Sequence, residues 1–338
     1  MTERILTYSQ AINEAIRQEM ERDPTVFLMG EDIAGAAGRA EQGFVDAWGG
    51  PFAMTKGLIK QFGPERVRDT PVSEAAFIGA GVGAAVTGMR PVVDLMFVDF
   101  IGVCLDAVLN NASKMRYMFG GQAKVPITIM TKIGAGTGSA AQHSSVLYSI
   151  FTHFPGLKCV VPSDPYSAKG LMTAAIRDDD PVIVFDHKRL LPVRGPVPEE
   201  PYIIPLGQSR VLKPGKDVTL VGASLTVQVC LEAAVALAGE GIDAEVIDLL
   251  SLSPLDEETI VGSVRRTKRL VVVDEDSPRC SIATDIAALA AEKAFDYLDA
   301  PILRITPPHT PVPYSAPLER AYMPNAEKVV QAVRGLFK

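Results

Sequence analysis

Short runs of aliphatic and β-branched residues recur along this chain, each followed by a stretch whose apolar positions return every three or four residues. Val26 to Met29, Pro91 to Phe97, Val125 to Thr131, Lys158 to Val161 and Val182 to Phe185 read as buried strands. Strands alternating with helices predict a parallel sheet covered on both faces, so the fold class is α/β. From Leu190 to Pro214 the texture changes, because Pro192, Pro196, Pro198, Pro201, Pro205 and Pro214 break every period. That stretch predicts an interdomain linker. The alternation then resumes, with strands at Val218 to Val221, Ala244 to Leu249, Leu270 to Val273 and Ile302 to Ile305. Helices are predicted between them at Val227 to Ala238, Asp256 to Val264 and Ile282 to Tyr297. The pattern thus gives an α/β domain over 1–195, a Pro-rich linker over 196–212 and a smaller α/β domain over 213–338, without internal repeats.

Composition narrows the function classes. The 338 residues fit two domains, and 47% hydrophobic residues supply each with a core. A formal charge of −7 gives no footprint for nucleic acid, whose binding rests on Lys and Arg neutralising phosphates. The one dense basic cluster, Arg265, Arg266, Lys268 and Arg269, reads as a helix end, where cations suit the dipole, with a docking patch as the alternative. Cys104, Cys159, Cys230 and Cys280 lie far apart and form no C-x-x-C pair, which points to buried thiols in a reducing compartment. No apolar run reaches the roughly 18 residues of a membrane span, and the first ten residues lack a secretory apolar region. A cytoplasmic protein outside the membrane is expected.

Two segments carry candidate chemistry. Asp69-Thr70-Pro71-Val72-Ser73-Glu74 precedes a small-residue run containing Gly79, Gly81 and Gly83. The structural interpretation is that Ser73 caps a helix and Glu74 favours its positive end. The chemical one is that a carboxylate at the mouth of an apolar helix is partly desolvated, which raises a carboxyl pKa toward neutrality and suits proton exchange. Gly134-Ala135-Gly136-Thr137-Gly138-Ser139 follows a strand, but Ser139 stands where a dinucleotide fingerprint needs its third glycine. The turn leads into Ala141-Gln142-His143-Ser144, placing His143 on a loop at the carboxyl end of a sheet, where its pKa suits acid/base work. His153 reads as a packed core residue, His187 lies near the linker, and His309 sits in a rigid turn. No two histidines have the spacing of a shared metal. There is no P-loop, no G-x-S-x-G elbow and no Gly-Asp-Gly segment.

Ordered segments along nearly the whole chain now make a family visible. Met29-Gly30-Glu31-Asp32, Asp69 to Glu74, Phe97-Val98-Asp99-Phe100, Lys114-Met115-Arg116-Tyr117, Ala141 to Ser144, Pro155-Gly156-Leu157-Lys158 and Ser253-Pro254-Leu255-Asp256 carry it. On them the chain resembles the β subunits of the thiamine diphosphate-dependent first component of 2-oxo acid dehydrogenase complexes. Within that family it is most similar to the acetoin-cleaving members, through Asp46-Ala47-Trp48-Gly49-Gly50, Pro278-Arg279-Cys280-Ser281, Ala283-Thr284-Asp285-Ile286 and Pro308 to Pro313.

The resemblance implies a pyrimidine-binding α/β domain followed by a smaller transketolase C-terminal-like α/β domain. It implies a split site, in which an α subunit holds magnesium and the diphosphate through Gly-Asp-Gly while the β subunit meets the aminopyrimidine ring. Two α and two β chains are expected, with a dihydrolipoyl acyltransferase taking the acyl group. Glu74 matches the glutamate that hydrogen-bonds the aminopyrimidine and promotes its imino tautomer. Phe100 matches a residue near that ring, and His143 a histidine near the substrate. Ile127, Ala175, Ile176, Asp178 and Asp180 match a potassium site built largely from backbone oxygens, Asp180 standing where the family often has Asn. Lys132-Ile133 departs from the residues related sequences tend to show.

Acetoin, pyruvate and branched 2-oxo acids remain open as substrates at this point. Loss of carbon dioxide needs no proton removed at the leaving group, whereas cleavage of acetoin requires a hydroxyl to be deprotonated, so a base such as His143 matters more there. Two readings from other classes are a noncatalytic docking scaffold and a nicotinamide-dependent dehydrogenase built on the Gly134 loop.

Overall fold

The computed structural model describes residues 4–34 and 49–337, and Asp46-Ala47-Trp48 of the finer match lie outside them. The chain divides into two compact units. One comprises Met1–Lys132, Phe151–Asp186 and Leu190–Leu206, and the other Ile133–Ile150, His187–Arg189 and Gly207–Lys338.

The first unit contains β1 (Ile5–Thr7), β2 (Val26–Gly30), β3 (Val67–Asp69), β4 (Arg90–Phe97), β5 (Thr128–Ile133), β6 (Lys158–Val160), β7 (Val182–His187) and β8 (Arg194–Pro196). Strands β6-β7-β5-β4-β2-β3 lie side by side in that order. The β2–β3, β2–β4, β4–β5 and β6–β7 pairs are parallel. All residues of β2, β5 and β7 are buried, as expected where helices cover both faces of a parallel sheet. The strands expected from the sequence are therefore present, within one to three residues at their ends.

Helices Tyr8–Arg22 and Pro165–Arg177 form one cover. Thr7 opens the first with a capping box closed by Gln10, and Asp164 opens the second with Pro165 at its first turn. Ala11, Ile12, Ala15 and Ile16 are fully buried on the first, Ala168, Leu171 and Met172 on the second. Lys169 is also fully buried. Its ammonium donates to Glu14 Oε1 (2.6 Å), Pro198 O (2.7 Å) and Glu199 O (2.8 Å), so the desolvated charge keeps three acceptors. Part of the stretch expected as a linker is thus folded onto this unit. β8 pairs antiparallel with β1, and Tyr202 stacks on Tyr166 with ring centroids 4.7 Å apart.

The second unit holds a five-stranded sheet ordered β14-β13-β10-β11-β9. Its strands are β9 (Arg210–Lys213), β10 (Val218–Gly222), β11 (Ala244–Asp248), β13 (Leu270–Val273) and β14 (Leu303–Ile305), with the short β12 (Ser251–Ser253) beside them in sequence. Only β9 runs antiparallel. Being an edge strand with Pro214 at its end, it escaped the sequence pattern. Helix Glu257–Thr267 ends on Arg265 and Arg266, with Lys268 in a left-handed cap, as the helix-end reading of the basic cluster required. Arg266 pairs with the buried Glu245 at 2.7 Å.

Candidate active site

In the first unit, β2 and β3 end in register at Gly30 and Asp69, and Gly30 also stands opposite Asp94, three residues before the end of β4. The segments that follow these carboxyl ends carry Glu31, Glu74 and Phe100, the edge where α/β folds bind ligands. Glu74 is the first residue of helix Glu74–Val86 and is half-buried. Ser73 occupies the cap position, but its hydroxyl makes no cap bond and instead donates to Pro71 O at 3.3 Å, correcting the expected capping role. Gly81 on this helix has no room for a side chain, since an added Cβ would lie 2.9 Å from Val93 Cγ2. Ala75, Ala76, Ala80 and Gly83 are exposed.

Glu31 is a functional candidate that the sequence reading did not single out. It is 8% exposed, and its Oε1 has no hydrogen-bond partner among the described residues. Burial pushes its carboxyl above the usual range, and the negative charge of Glu74 adds to this, followed by Asp32 and Asp94. Two carboxyls that sense each other, one of them biased toward its protonated form, are suited to holding and moving a proton. The position at the end of β2 was the available signal. Beside them β4 is irregular after Asp94, with Met96 left-handed (φ 64°) and its N–H donating to Asp94 Oδ1 at 2.9 Å. Such bulges re-aim side chains next to sites. Phe97 meets Phe100 edge-on, centroids 5.5 Å apart, and Phe52 at 5.4 Å, forming an aromatic row.

Under this edge lies the departure noted at Lys132. Its side chain is fully buried, bonded to Asp94 Oδ1 at 3.1 Å, with the ammonium 5.5 Å from the centre of the Phe52 ring. Asp186 is likewise fully buried and accepts from Tyr8 Oη at 2.7 Å. Burial raises the Asp186 carboxyl to about 6, with Asp94 adding, although Lys132 and the Tyr8 bond pull it down. A carboxyl whose folded pKa lies above its unfolded one favours folding most below pH about 4, and that contribution is lost as pH rises to about 6. Asp186→Asn is therefore expected to raise the melting temperature at pH 7.5 relative to the unsubstituted chain and to give no gain at pH 4. A gain at both pH values would mean that the carboxyl's charge is not what burial penalises.

His143 belongs to the second unit. The loop that carries it is fastened at three levels. At its root, Ala135 N–H donates to Glu275 Oε1 (2.6 Å), whose Oε2 lies 2.9 Å from His187 Nε2. His187 is buried against Gly134, where an added Cβ would lie 1.9 Å from His187 Nε2 and where φ is +94°. At its tip, the N–H groups of Gly136 (2.5 Å), Thr137 (3.2 Å) and Gly138 (3.1 Å) converge on the carboxylate of Glu319. At its far side, Lys188 Nζ donates to His143 O and to Ser144 Oγ (3.2 Å). The glycine turn thus encloses the chain's own carboxylate, which leaves no phosphate cradle for the nicotinamide reading. Asp274 and Asp276 nearby are pushed above the usual carboxylate range, chiefly by burial. Tyr148 Oη donates to Asp274 and Ser149 Oγ to Asp276.

Of the five residues expected to hold potassium, Ile176, Asp178 and Asp180 face cationic side chains. The Arg90 guanidinium donates to Ile176 O (3.1 Å) and Asp178 O (2.7 Å), while Ile127 O and Ala175 O accept from Val182 and Asp178 N–H groups. Lys158 pairs with Asp178 (2.8 Å) and Asp180 (3.2 Å), and Arg116 with Asp180. The Ile176 and Asp178 carbonyls thus each accept from Arg90, and the Asp178 and Asp180 carboxylates are paired with Lys158 and Arg116. His153 is exposed, its ring edge-on to Phe154 at 5.4 Å, which corrects its expected core position. His309 is exposed as well. Three cysteines are buried thiols as expected, whereas Cys280 is exposed.

Comparison with known proteins agrees with this architecture. Residues 5–194 match the transketolase pyrimidine-binding domain and residues 207–329 the transketolase C-terminal domain. The acetoin:2,6-dichlorophenolindophenol oxidoreductase β subunit of Bacillus subtilis (strain 168) is 55% identical, over 99% of this chain and 98% of that protein. The subunit of the same name from Cupriavidus necator is 54% identical over the same shares. β subunits named for 2-oxoisovalerate or pyruvate dehydrogenases match at 41% to 43%. A split-gene transketolase, solved as an inactive β4 tetramer, superposes with a TM-score of 0.76 at 24% identity over 98% of both chains, a likeness of fold alone. Two transketolase-type domains in this order, with full-length identity at these levels, mean that the chain belongs to the family of β subunits of the thiamine diphosphate-dependent 2-oxo acid and acetoin dehydrogenases.

Proposed function

We propose that this chain is the β subunit of an acetoin-cleaving dehydrogenase, working with an α subunit and handing an acetyl group to a lipoyl-bearing acyltransferase. The observation that carries the substrate is the 54% to 55% full-length identity to acetoin oxidoreductase subunits, against 41% to 43% for those named for 2-oxo acids. An α2β2 assembly fits the uncovered small-residue face of helix Glu74–Val86. Among the described residues no helix is long and apolar enough to cross a membrane. A cytoplasmic location rests on the unpaired thiols.

The residues of the first unit fit the aminopyrimidine half of thiamine diphosphate. A half-buried carboxylate at a helix start, a buried carboxyl oxygen lacking a partner among the described residues, and an aromatic row form a site for a flat ring with polar nitrogens. Magnesium and the diphosphate are assigned to the α subunit. When bound, the cofactor supplies a carbon nucleophile. Glu74 holds the proton shared with a ring nitrogen, and Glu31 keeps that carboxyl's surroundings poor in competing charge by favouring its own neutral form. Phe100 orients the ring, and His143 takes the proton from the acetoin hydroxyl as acetaldehyde departs.

The test is turnover of the reconstituted α/β pair. With 2,6-dichlorophenolindophenol as electron acceptor, acetoin is expected to be oxidised faster than pyruvate, with release of acetaldehyde. A preference for pyruvate or a branched 2-oxo acid would overturn the acetoin assignment and leave the family and the Glu74 role standing.

A further inference from the structure

Resting on the reading of His143 as the base beside the substrate, we infer that Glu319 is a positioning residue for that base, acting through the glycine turn that carries it. Helix Ala316–Tyr322 buries one residue among its seven, and that residue is its carboxylate, Glu319. Glu319 is 3% exposed, while Leu318 in the same helix is 60% exposed and Tyr314 just before it 73%. Packing alone would bury the leucine and expose the glutamate.

Desolvating a carboxylate is unfavourable unless donors replace the water. Here the donors are the N–H groups of three successive residues, Gly136, Thr137 and Gly138, in the turn five to seven residues before His143. Gly136 and Gly138 both have positive φ (+96° and +66°), a backbone form that turns successive N–H groups inward. The carboxylate therefore fixes the conformation of the turn, while Glu275 fixes its root and Lys188 the carbonyl of His143 itself. Among these three, Glu319 is the one that bonds the exposed tip of the loop, Gly136, Thr137 and Gly138, whose other side-chain neighbours are Arg189 and Met323 beside Gly136 and a Thr137–Ser139 hydroxyl pair. Its substitution loosens the loop, since none of those neighbours replaces the three N–H bonds that Glu319 accepts.

The experiment is a double-substitution cycle in the reconstituted α/β pair, with Glu319→Gln and His143→Ala made singly and together and acetoin turnover measured. Glu319→Gln keeps the size of the side chain but removes the charge and one acceptor. It is expected to lower kcat for acetoin by about tenfold, the scale of a modest misplacement of a catalytic group, and by less than about twofold where His143 is already Ala. Amide hydrogen exchange at Gly136 to Gly138 is expected to quicken in the assembled Glu319→Gln pair. If Glu319→Gln does not assemble, Glu319→Asp, which keeps the charge and withdraws it by one methylene, is carried through the same cycle. Equal losses with and without His143, or unchanged kcat and exchange, would overturn the inference while His143 keeps its role. Wild-type acetoin turnover by His143→Ala would instead remove the base itself, and the inference with it.

Discussion

Replacing Glu74 by Gln is expected to slow proton exchange at the cofactor's thiazolium carbon by on the order of 100-fold or more, with assembly of the α/β pair intact. Glutamine keeps the shape at the head of helix Glu74–Val86 and loses the exchangeable carboxyl proton. The effect is large because the neighbouring carboxyl does not substitute for it: burial holds Glu31 toward its protonated form, and the charge of Glu74 adds to this. Removing the Glu74 charge takes away one part of that bias, so the carboxyl of Glu31 is expected to fall somewhat in the variant while burial still holds it above its ordinary range. Exchange measured by NMR on the reconstituted pair decides the matter. A near-normal rate would return Glu74 to a helix-end role alone.

The second large effect separates the two substrate classes. His143→Ala is expected to depress acetoin cleavage by on the order of 100-fold and any residual pyruvate decarboxylation much less, because only acetoin needs a hydroxyl proton removed. The difference between the two losses isolates the base from general damage, since a displaced cofactor would harm both reactions alike. Equal losses would mean that His143 positions cofactor or substrate without taking a proton.

Much of the fold was legible because buried parallel strands advertise themselves. Val26 to Gly30 and Leu270 to Val273 are continuous apolar runs, and their flanking helices carry clear caps and periodicity. What escaped were elements whose stability comes from elsewhere. β8 and β9 are short strands in a proline-rich stretch, held by pairing with Ile5–Thr7 and Ala244–Asp248 rather than by their own propensity. Glu74, Phe100 and His143 could be named because motifs surround them. Glu31, His187, Glu275 and Glu319 act through distant partners: His187 meets a residue 88 positions away, and the Glu319 bonds span more than 180. No local spacing encodes such pairs. His153 misled because flanking aromatic residues suggest burial, yet the ring lies at the surface.

The buried ammonium of Lys169 has a consequence for where the molecule can be divided. Two of its three acceptors are the carbonyls of Pro198 and Glu199, which lie beyond β8, the last strand of the first unit. A truncation at residue 195 would strip those carbonyls away and leave the buried ammonium with Glu14 as its one remaining acceptor of the three, a loss of about 1–3 kcal/mol for each hydrogen bond left unmade. Ile204 would go too, together with its N–H bond to Gly170 O at 3.2 Å. Autonomous folding of the first unit therefore requires the tail through about Leu206, and the proline-rich stretch acts over its first half as a strap that closes the core.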